Sequence, residues 1–535
     1  NARSLAISVL GEIPRSVAIK LVQGLTAVQG IGALEIDHRN GRYRAAIDHL
    51  HRDLAAHTAA DPSAIALSAV GRSYLGDNPT GSFGTLMGYS VAMAGDVDGL
   101  PGVEVVAGGY EYSDRYEERG MVLLVASGRL PVRIFGPPQH RAWFGHSVAN
   151  NGDFDGDGRA DVLVGARFAN RRSGAAYLFS AARLWAGGDS LVAEAGAGVI
   201  EFVVARAEAE LGFEVYFGDD WDGDGQAEAV LRAHIGGVQS GGVYVVYSGH
   251  ALSGRVDLDR AAATIRVATG EDYADIGRTI ATIGDLDGDG LDELLLGAQA
   301  ASRYFGADGY VPSRFYVILS SDLARQVDIG KERMYLVAEA EEGEHLGSCV
   351  GRLGDLDGDG ITDFAIGARY ARARRGALYV VSGAALHRTA APGEEVSIAD
   401  LAPLALLGER EGDLLGWSCA EVGADFNGDG VEDIAVGARG ATGRVPAAGA
   451  VYLVSGQRLH AAWGEDPSEL SILDAAAIKI GGDRHGARLG SKRRFGVGHF
   501  DADGLVDLAV GTPGWHEGGI YAGAVWVVPG AELIE

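Results

Sequence analysis

One nine-residue pattern dominates the chemistry available to this chain. Aspartates alternate at positions 1, 3 and 5, glycines fill positions 4 and 6, and an acid closes position 9. Five copies carry it in full, at 153–161, 220–228, 285–293, 355–363 and 425–433. The alternation turns carboxylates towards one centre. Glycine at position 6 allows a backbone turn that a side chain resists. Calcium takes roughly six to eight hard oxygen ligands in a flexible cage, whereas magnesium demands a strict octahedron and keeps its water. The expected calcium ligands are the side chains at positions 1, 3, 5 and 9 and the backbone carbonyl at position 7. In chain order they are Asp153, Asp155, Asp157, Arg159 and Asp161; Asp220, Asp222, Asp224, Gln226 and Glu228; Asp285, Asp287, Asp289, Leu291 and Glu293; Asp355, Asp357, Asp359, Ile361 and Asp363; and Asp425, Asn427, Asp429, Val431 and Asp433. Asn427 keeps an oxygen ligand while removing a charge.

Two further copies are worn. At 96–104, Leu100 replaces the position-5 acid and Pro101 the turn glycine, so no ion is expected there. At 499–507, His499 replaces the first acid but Asp501, Asp503 and Asp507 remain, making this a candidate sixth site. Carboxylates crowded within about 5 Å repel by several kcal/mol at intermediate dielectric unless a cation sits among them. Positions 1, 3, 5 and 9 of the seven loops collect 25 of the 73 acidic residues, so much of the formal charge of −28 has a local address. Five calcium ions would reduce it to about −18.

The elements that hold these loops repeat with them. First positions fall at 96, 153, 220, 285, 355, 425 and 499. Nine or ten residues upstream of each comes an apolar residue followed by glycine: Met87-Gly88, Phe144-Gly145, Leu211-Gly212, Ile276-Gly277, Leu346-Gly347, Leu415-Gly416 and Leu489-Gly490. A short apolar run follows each loop, as at 162–166, 294–298, 364–368 and 434–438. A second run, rich in tyrosine and valine, comes next, as at 177–179, 244–247, 315–319, 379–381, 452–454 and 525–528. A further run precedes the next apolar-glycine pair. Short β-branched and aromatic runs between glycine-rich turns read as strands. Four strands per repeat, seven times over, predict an all-β, seven-bladed β-propeller over 63–535.

The succession of apolar-Gly, Asp-x-Asp-x-Asp-Gly-x-x-Asp, Val-Gly-Ala-Arg and Gly-x-x-Tyr-Val-x-Ser-Gly resembles the FG-GAP repeat of the integrin α-subunit head and its bacterial relatives. The resemblance covers residues 64–530. It implies structural calcium loops on one face of the ring and a partner surface on the opposite face. The integrin leg domains, membrane anchor and metal-dependent adhesion site have no counterpart in this sequence, so integrin-type heterodimer behaviour is not carried over.

Residues 1–62 stand apart as a small α+β segment, with strands at 4–10, 33–38 and 42–47, helices at 14–29 and 48–60, and an Asn40-Gly41 hairpin turn. With 64–70 as a last strand it would be ferredoxin-like. The preferred alternative uses 64–70 as the missing fourth strand of blade 7, because a ring closed by both ends of the repeat array leaves no open edge. His49, Asp53 and His57 share one face of the second helix at a spacing that could hold a transition metal, although a solvated helix face is the preferred reading. Cys349 and Cys419 occupy equivalent positions, six residues before their loops, and read as buried thiols rather than a bridge. Most tryptophans read as packing between blades.

The acidic balance excludes a nucleic-acid footprint, and no run of about 18 apolar residues marks a membrane helix. Neither a Gly-x-Ser-x-Gly elbow, a phosphate loop nor a His-Glu-x-x-His motif occurs. The first function expected is a calcium-stabilised, extracytoplasmic binding or adhesion scaffold for a protein or glycan. The alternatives are a polysaccharide lyase or glycosidase built on the propeller, or a structural subunit docked through 1–62.

Overall fold

The computed structural model describes residues 64–533, leaving out 77–83, 235–240, 301–311 and several shorter stretches. The α+β segment over 1–62 and its His49, Asp53 and His57 lie outside the described residues.

The apolar runs form strands buried on both faces, as at Glu104–Gly109, Met121–Val125 and Val162–Ala166. Blades stacked face to face cover both sides of each sheet, so a continuous apolar run replaces the alternation of a half-exposed strand. Blade 1 is the antiparallel meander Ser90–Gly95, Glu104–Gly109, Met121–Val125 and Val132–Phe135. The same order recurs in blade 2, from Phe144–Val148 to Val199–Val203, and in blade 3, from Val215–Phe217 to Thr264–Val267. Blade 4 runs from Ala274–Thr282 to Tyr335–Ala338, blade 5 from Leu346–Leu353 to Leu404–Leu407, and blade 6 from Leu415–Ala420 to Ala476–Gly481. Blade 7 has Arg494–Gly498, Asp507–Thr512 and Ala524–Val528, and it takes its outer strand, Arg72–Leu75, from the start of the propeller. The whole is a β-propeller.

Contacts at hub and rim join each blade to the next. At the hub, the glycine of Val-Gly-Ala in one blade lies against the glycine of the apolar-Gly pair in the next. A methyl group on Gly108, Gly165, Gly367 or Gly511 would overlap the carbonyl oxygen of Gly145, Gly212, Gly416 or Gly88 respectively. Only glycine permits that approach. The last of these contacts joins blade 7 to blade 1 and closes the ring. At the rim, the connection between the third and fourth strands reaches back to the outer strand of the preceding blade. Ser190–Val192, Arg255–Asp257, Glu395–Ser397 and Glu469–Ser471 each pair in parallel with such a strand.

The closing segment departs from the sequence expectation. Residues 64–70 are not the outer strand of blade 7. Ile65–Ala66 pairs in parallel with blade 6, Leu67–Val70 is one helical turn, and Arg72–Leu75 is the outer strand. This copies the order bridge, helical turn, outer strand seen at Glu469–Ser471, Ile472–Ala475 and Ala476–Gly481. The apolar run Ile-Ala-Leu-Ser-Ala-Val therefore belongs to the connection, and the strand begins after Gly71.

Cys349 and Cys419 are also corrected: they form a disulfide between the inner strands of blades 5 and 6, with Cα atoms 5.7 Å apart. Residues in this slot link neighbouring blades elsewhere too. Ser90 Oγ donates to the Gly145 carbonyl at 2.8 Å and Thr279 Oγ1 to that of Gly347 at 2.7 Å. Inner strands this close bring equivalent side chains within bonding reach, which sequence spacing does not reveal.

Candidate metal centres

Each acidic loop joins the first and second strands of its blade, so all seven emerge on one face of the ring. The five full copies share one hydrogen-bond pattern. The position-1 carboxylate accepts the position-4 amide through one oxygen and the position-6 amide through the other. For Asp153 these are Gly156 and Gly158, both at 2.8 Å. For Asp220 they are Gly223 at 2.8 Å and Gly225 at 2.7 Å. Asp285, Asp355 and Asp425 repeat the arrangement. Both loop glycines have positive φ, 80° and 88° at Gly223 and Gly225. Position 4 therefore needs glycine as much as position 6 does.

The position-9 acid is buried beneath the loop. One of its oxygens accepts the position-2 amide, from Phe154 to Asp161 at 3.0 Å, Trp221 to Glu228 at 2.9 Å and Leu356 to Asp363 at 2.9 Å. In blades 2, 5 and 6 the second oxygen accepts an amide just after the third strand, from Ala181, Gly383 or Gly456. In blade 3 the corresponding oxygen, Glu228 Oε1, is buried and has no hydrogen-bond partner. A buried carboxylate oxygen left without a donor costs a desolvation penalty that a cation would offset.

The loops gather their acids to different degrees. One oxygen from each of Asp220, Asp222, Asp224 and Glu228 lies within 4.8 Å of the others, and Asp285, Asp287, Asp289 and Glu293 do the same. Asp153, Asp155 and Asp161 form a trio that excludes Asp157, and Asp355, Asp357 and Asp359 one that excludes Asp363. Asp425, Asp429 and Asp433 do not come together to this distance, and neither do Asp501, Asp503 and Asp507. The worn loop of blade 1, from which no ion was expected, brings Asp96, Asp98 and Glu104 together. Its turn is made one residue late, by Gly102 at φ 115°, and that glycine was the available signal. Arg129 pairs with Asp98 there at 3.1 Å and competes for its charge.

The electrostatics follow from crowding and burial. Burial, with the neighbouring aspartates, pushes Glu228 up to about 9 and Glu293 up to about 8. Asp161, Asp363 and Glu104 are pushed up to about 7, chiefly by burial. Without a counter-ion these groups hold protons near neutrality. The donor set is all oxygen, and several of these clusters could hold a metal ion.

Two tryptophans tie blades together through their indole N–H groups. Trp221 Nε1 donates to the Asp292 carbonyl at 2.8 Å, joining the loops of blades 3 and 4, and Trp185 Nε1 to that of Val97 at 3.1 Å.

Comparison with known proteins agrees with this geometry. The FG-GAP repeat family matches at residues 144–179, 351–381 and 420–454, which are stretches of blades 2, 5 and 6. Integrin alpha-PS2 of Drosophila melanogaster is 30% identical over 239 residues, covering 43% of this chain and 15% of that protein. This chain carries FG-GAP repeats and is integrin-like over part of its length. This chain is also similar to phosphatidylinositol-glycan-specific phospholipase D of Rattus norvegicus, 38% identical over 121 residues, covering 22% of this chain and 13% of that protein. The matches thus span under a fifth of either relative. Among solved structures, the Dos1 propeller is similar at 8% identity with a TM-score of 0.36, covering 79% of this chain and 74% of that one.

Proposed function

We propose that this FG-GAP propeller is a calcium-stabilised recognition scaffold, working where calcium is millimolar, outside the cytoplasm. The reading rests first on Glu228, whose buried, unpartnered oxygen stands beside three aspartates that repel one another. Calcium, rather than magnesium, suits an irregular loop with carboxylates at positions 1, 3, 5 and 9 and a carbonyl at position 7. On this reading the five full loops each hold one ion through the residues named above. The cluster of Asp96, Asp98 and Glu104 supports extending the set to blade 1. The Cys349–Cys419 bridge supports an oxidising compartment. The similarity to integrin α subunits supports a protein partner for the scaffold.

Calcium titration of metal-free protein tests this directly. The melting temperature should rise by about 10 °C or more at saturating calcium, because several sites bind only the folded ring. Calorimetry should count about six ions, five in the full loops and one in blade 1. An unchanged melt between chelator and calcium would remove the calcium reading.

A further inference from the structure

On the face opposite the acidic loops, the turn after each second strand meets the connection leading into each inner strand. Arg369 and Arg439 stand there, directly after Asp363–Ala368 and Ile434–Ala438. Both guanidinium carbons lie on the indole of Trp417, 4.7 and 4.6 Å from its ring centre. Two cations sharing one ring are at most about 9 Å apart, close enough to repel. Arg369 is held by Ser348 Oγ at 3.2 Å and His345 Nδ1 at 3.1 Å. His345 stays neutral, because burial and the charges of Arg369 and Arg278 hold it down at about 4. Arg439 has no carboxylate partner among the described residues. The groups that reach it electrostatically are Arg488, Tyr370, Tyr89 and Arg369, contributed by blades 5 and 1 and by the connection into blade 7, so these side chains converge towards the axis.

A second knot of arginines shows what a closed arrangement looks like. Arg167, Arg232 and Arg278 surround Phe213 at 4.4, 4.2 and 5.2 Å. Glu210 pairs with Arg167, and Asp275 pairs with both Arg232 and Arg278, so that knot carries its own counter-charges. Among the described residues the knot at Trp417 has no such carboxylate on Arg439. Its indole is engaged by guanidinium groups and does not offer the open platform on which a sugar ring stacks. Guanidinium forks match carboxylates bidentately. In an extended peptide, side chains two or three residues apart stand about 7–10 Å from each other, which spans the two forks.

We propose that Arg369, Arg439 and Trp417 form a receptor for paired carboxylates of an acidic polypeptide segment, at the mouth of the ring opposite the metal loops. The proposal rests on reading the ring as a recognition scaffold and names the chemistry of its partner. The test uses the full chain in calcium at low ionic strength, with fluorescein-labelled hexaglutamate followed by anisotropy. Hexaglutamate should bind, a hexalysine control should not, and Trp417 emission should change on binding. Arg439→Gln and Arg369→Gln should each weaken binding about tenfold or more. Arg388→Gln, on an exposed helix at the other face, should leave it unchanged. Melting in calcium checks that each variant is folded. If Arg369→Gln unfolds, Arg439→Gln and loss of the emission change in Trp417→Phe carry the test. Absent binding, equal binding by the folded variants, or a sulfated hexasaccharide that binds and resists displacement by hexaglutamate would each overturn the proposal. The calcium titration of the same preparation reports separately on the scaffold.

Discussion

Glu228 closes its loop with no exposure to solvent, and its burial decides what happens when metal is withheld. Its folded pKa, about 9, lies above the ordinary 4.5. The folded chain therefore binds more protons than the unfolded chain between those values, and metal-free stability should fall as pH rises through that window. Glu293, Asp161 and Asp363 add to the same slope over narrower windows, up to about 8, 7 and 7. The chelated protein should melt lower at pH 8.5 than at pH 5.5, and saturating calcium should flatten or reverse the trend. Glu228→Gln should raise the melting temperature of the metal-free chain at pH 8 and lower it in calcium. A variant that shifts both melts the same way would show that the carboxylate does not meet the ion. The ligand positions themselves were legible, because the alternation of aspartates is a local pattern. The gathering at Asp96, Asp98 and Glu104 was not, because it depends on Gly102 taking over the turn from the position where Pro101 stands. The pairing of Arg369 and Arg439 on Trp417 was hidden for another reason: it joins two blades, and spacing along one repeat says nothing about it.

Between elements, the contact of Gly367 with Gly416 shows why the repeat carries glycine at two fixed points. Gly367 lies in the second strand of blade 5, and Gly416 enters blade 6 at φ 74°. A side chain at either point would push two inner strands apart. Gly367→Ala should cost about 3 kcal/mol or more, read as a lower urea midpoint, since the obstacle is backbone rather than a movable side chain. Blade 3 departs from the pattern: Arg232 stands near Gly277 there, and its charge is met by Asp275. The strands were legible from their apolar runs and glycine boundaries. The closing strand was misplaced by a few residues because residues 65–70 look like a strand when read alone. Alignment with 469–481, where a two-residue bridge and one helical turn precede the outer strand, puts them in their true frame. The disulfide was missed because equivalence in sequence says which positions match and nothing about how far apart they sit.

Across the whole molecule, the two faces of the ring differ in kind. Acidic loops occupy one side, and arginines backed by aromatic rings gather at the opposite mouth. Composition alone gave the net value of −28 and could not give this separation. The architecture was readable because each repeat contributes one similar sheet. Its closure follows from Arg72–Leu75 pairing with Ala524–Val528. A chain lacking residues 64–76 should therefore expose an unpaired edge on blade 7, lose its cooperative melt and self-associate, as light scattering would show. A variant that stays monomeric and melts as the parent does would mean that this strand adds nothing to the ring. The same pairing also orders events during synthesis. The strand at Arg72–Leu75 has no partner until the strand at Ala524–Val528 has left the ribosome, hundreds of residues later. Until then the ring is an open arc with an unsatisfied edge at each end, and its shape is set only once Ala524–Val528 has emerged.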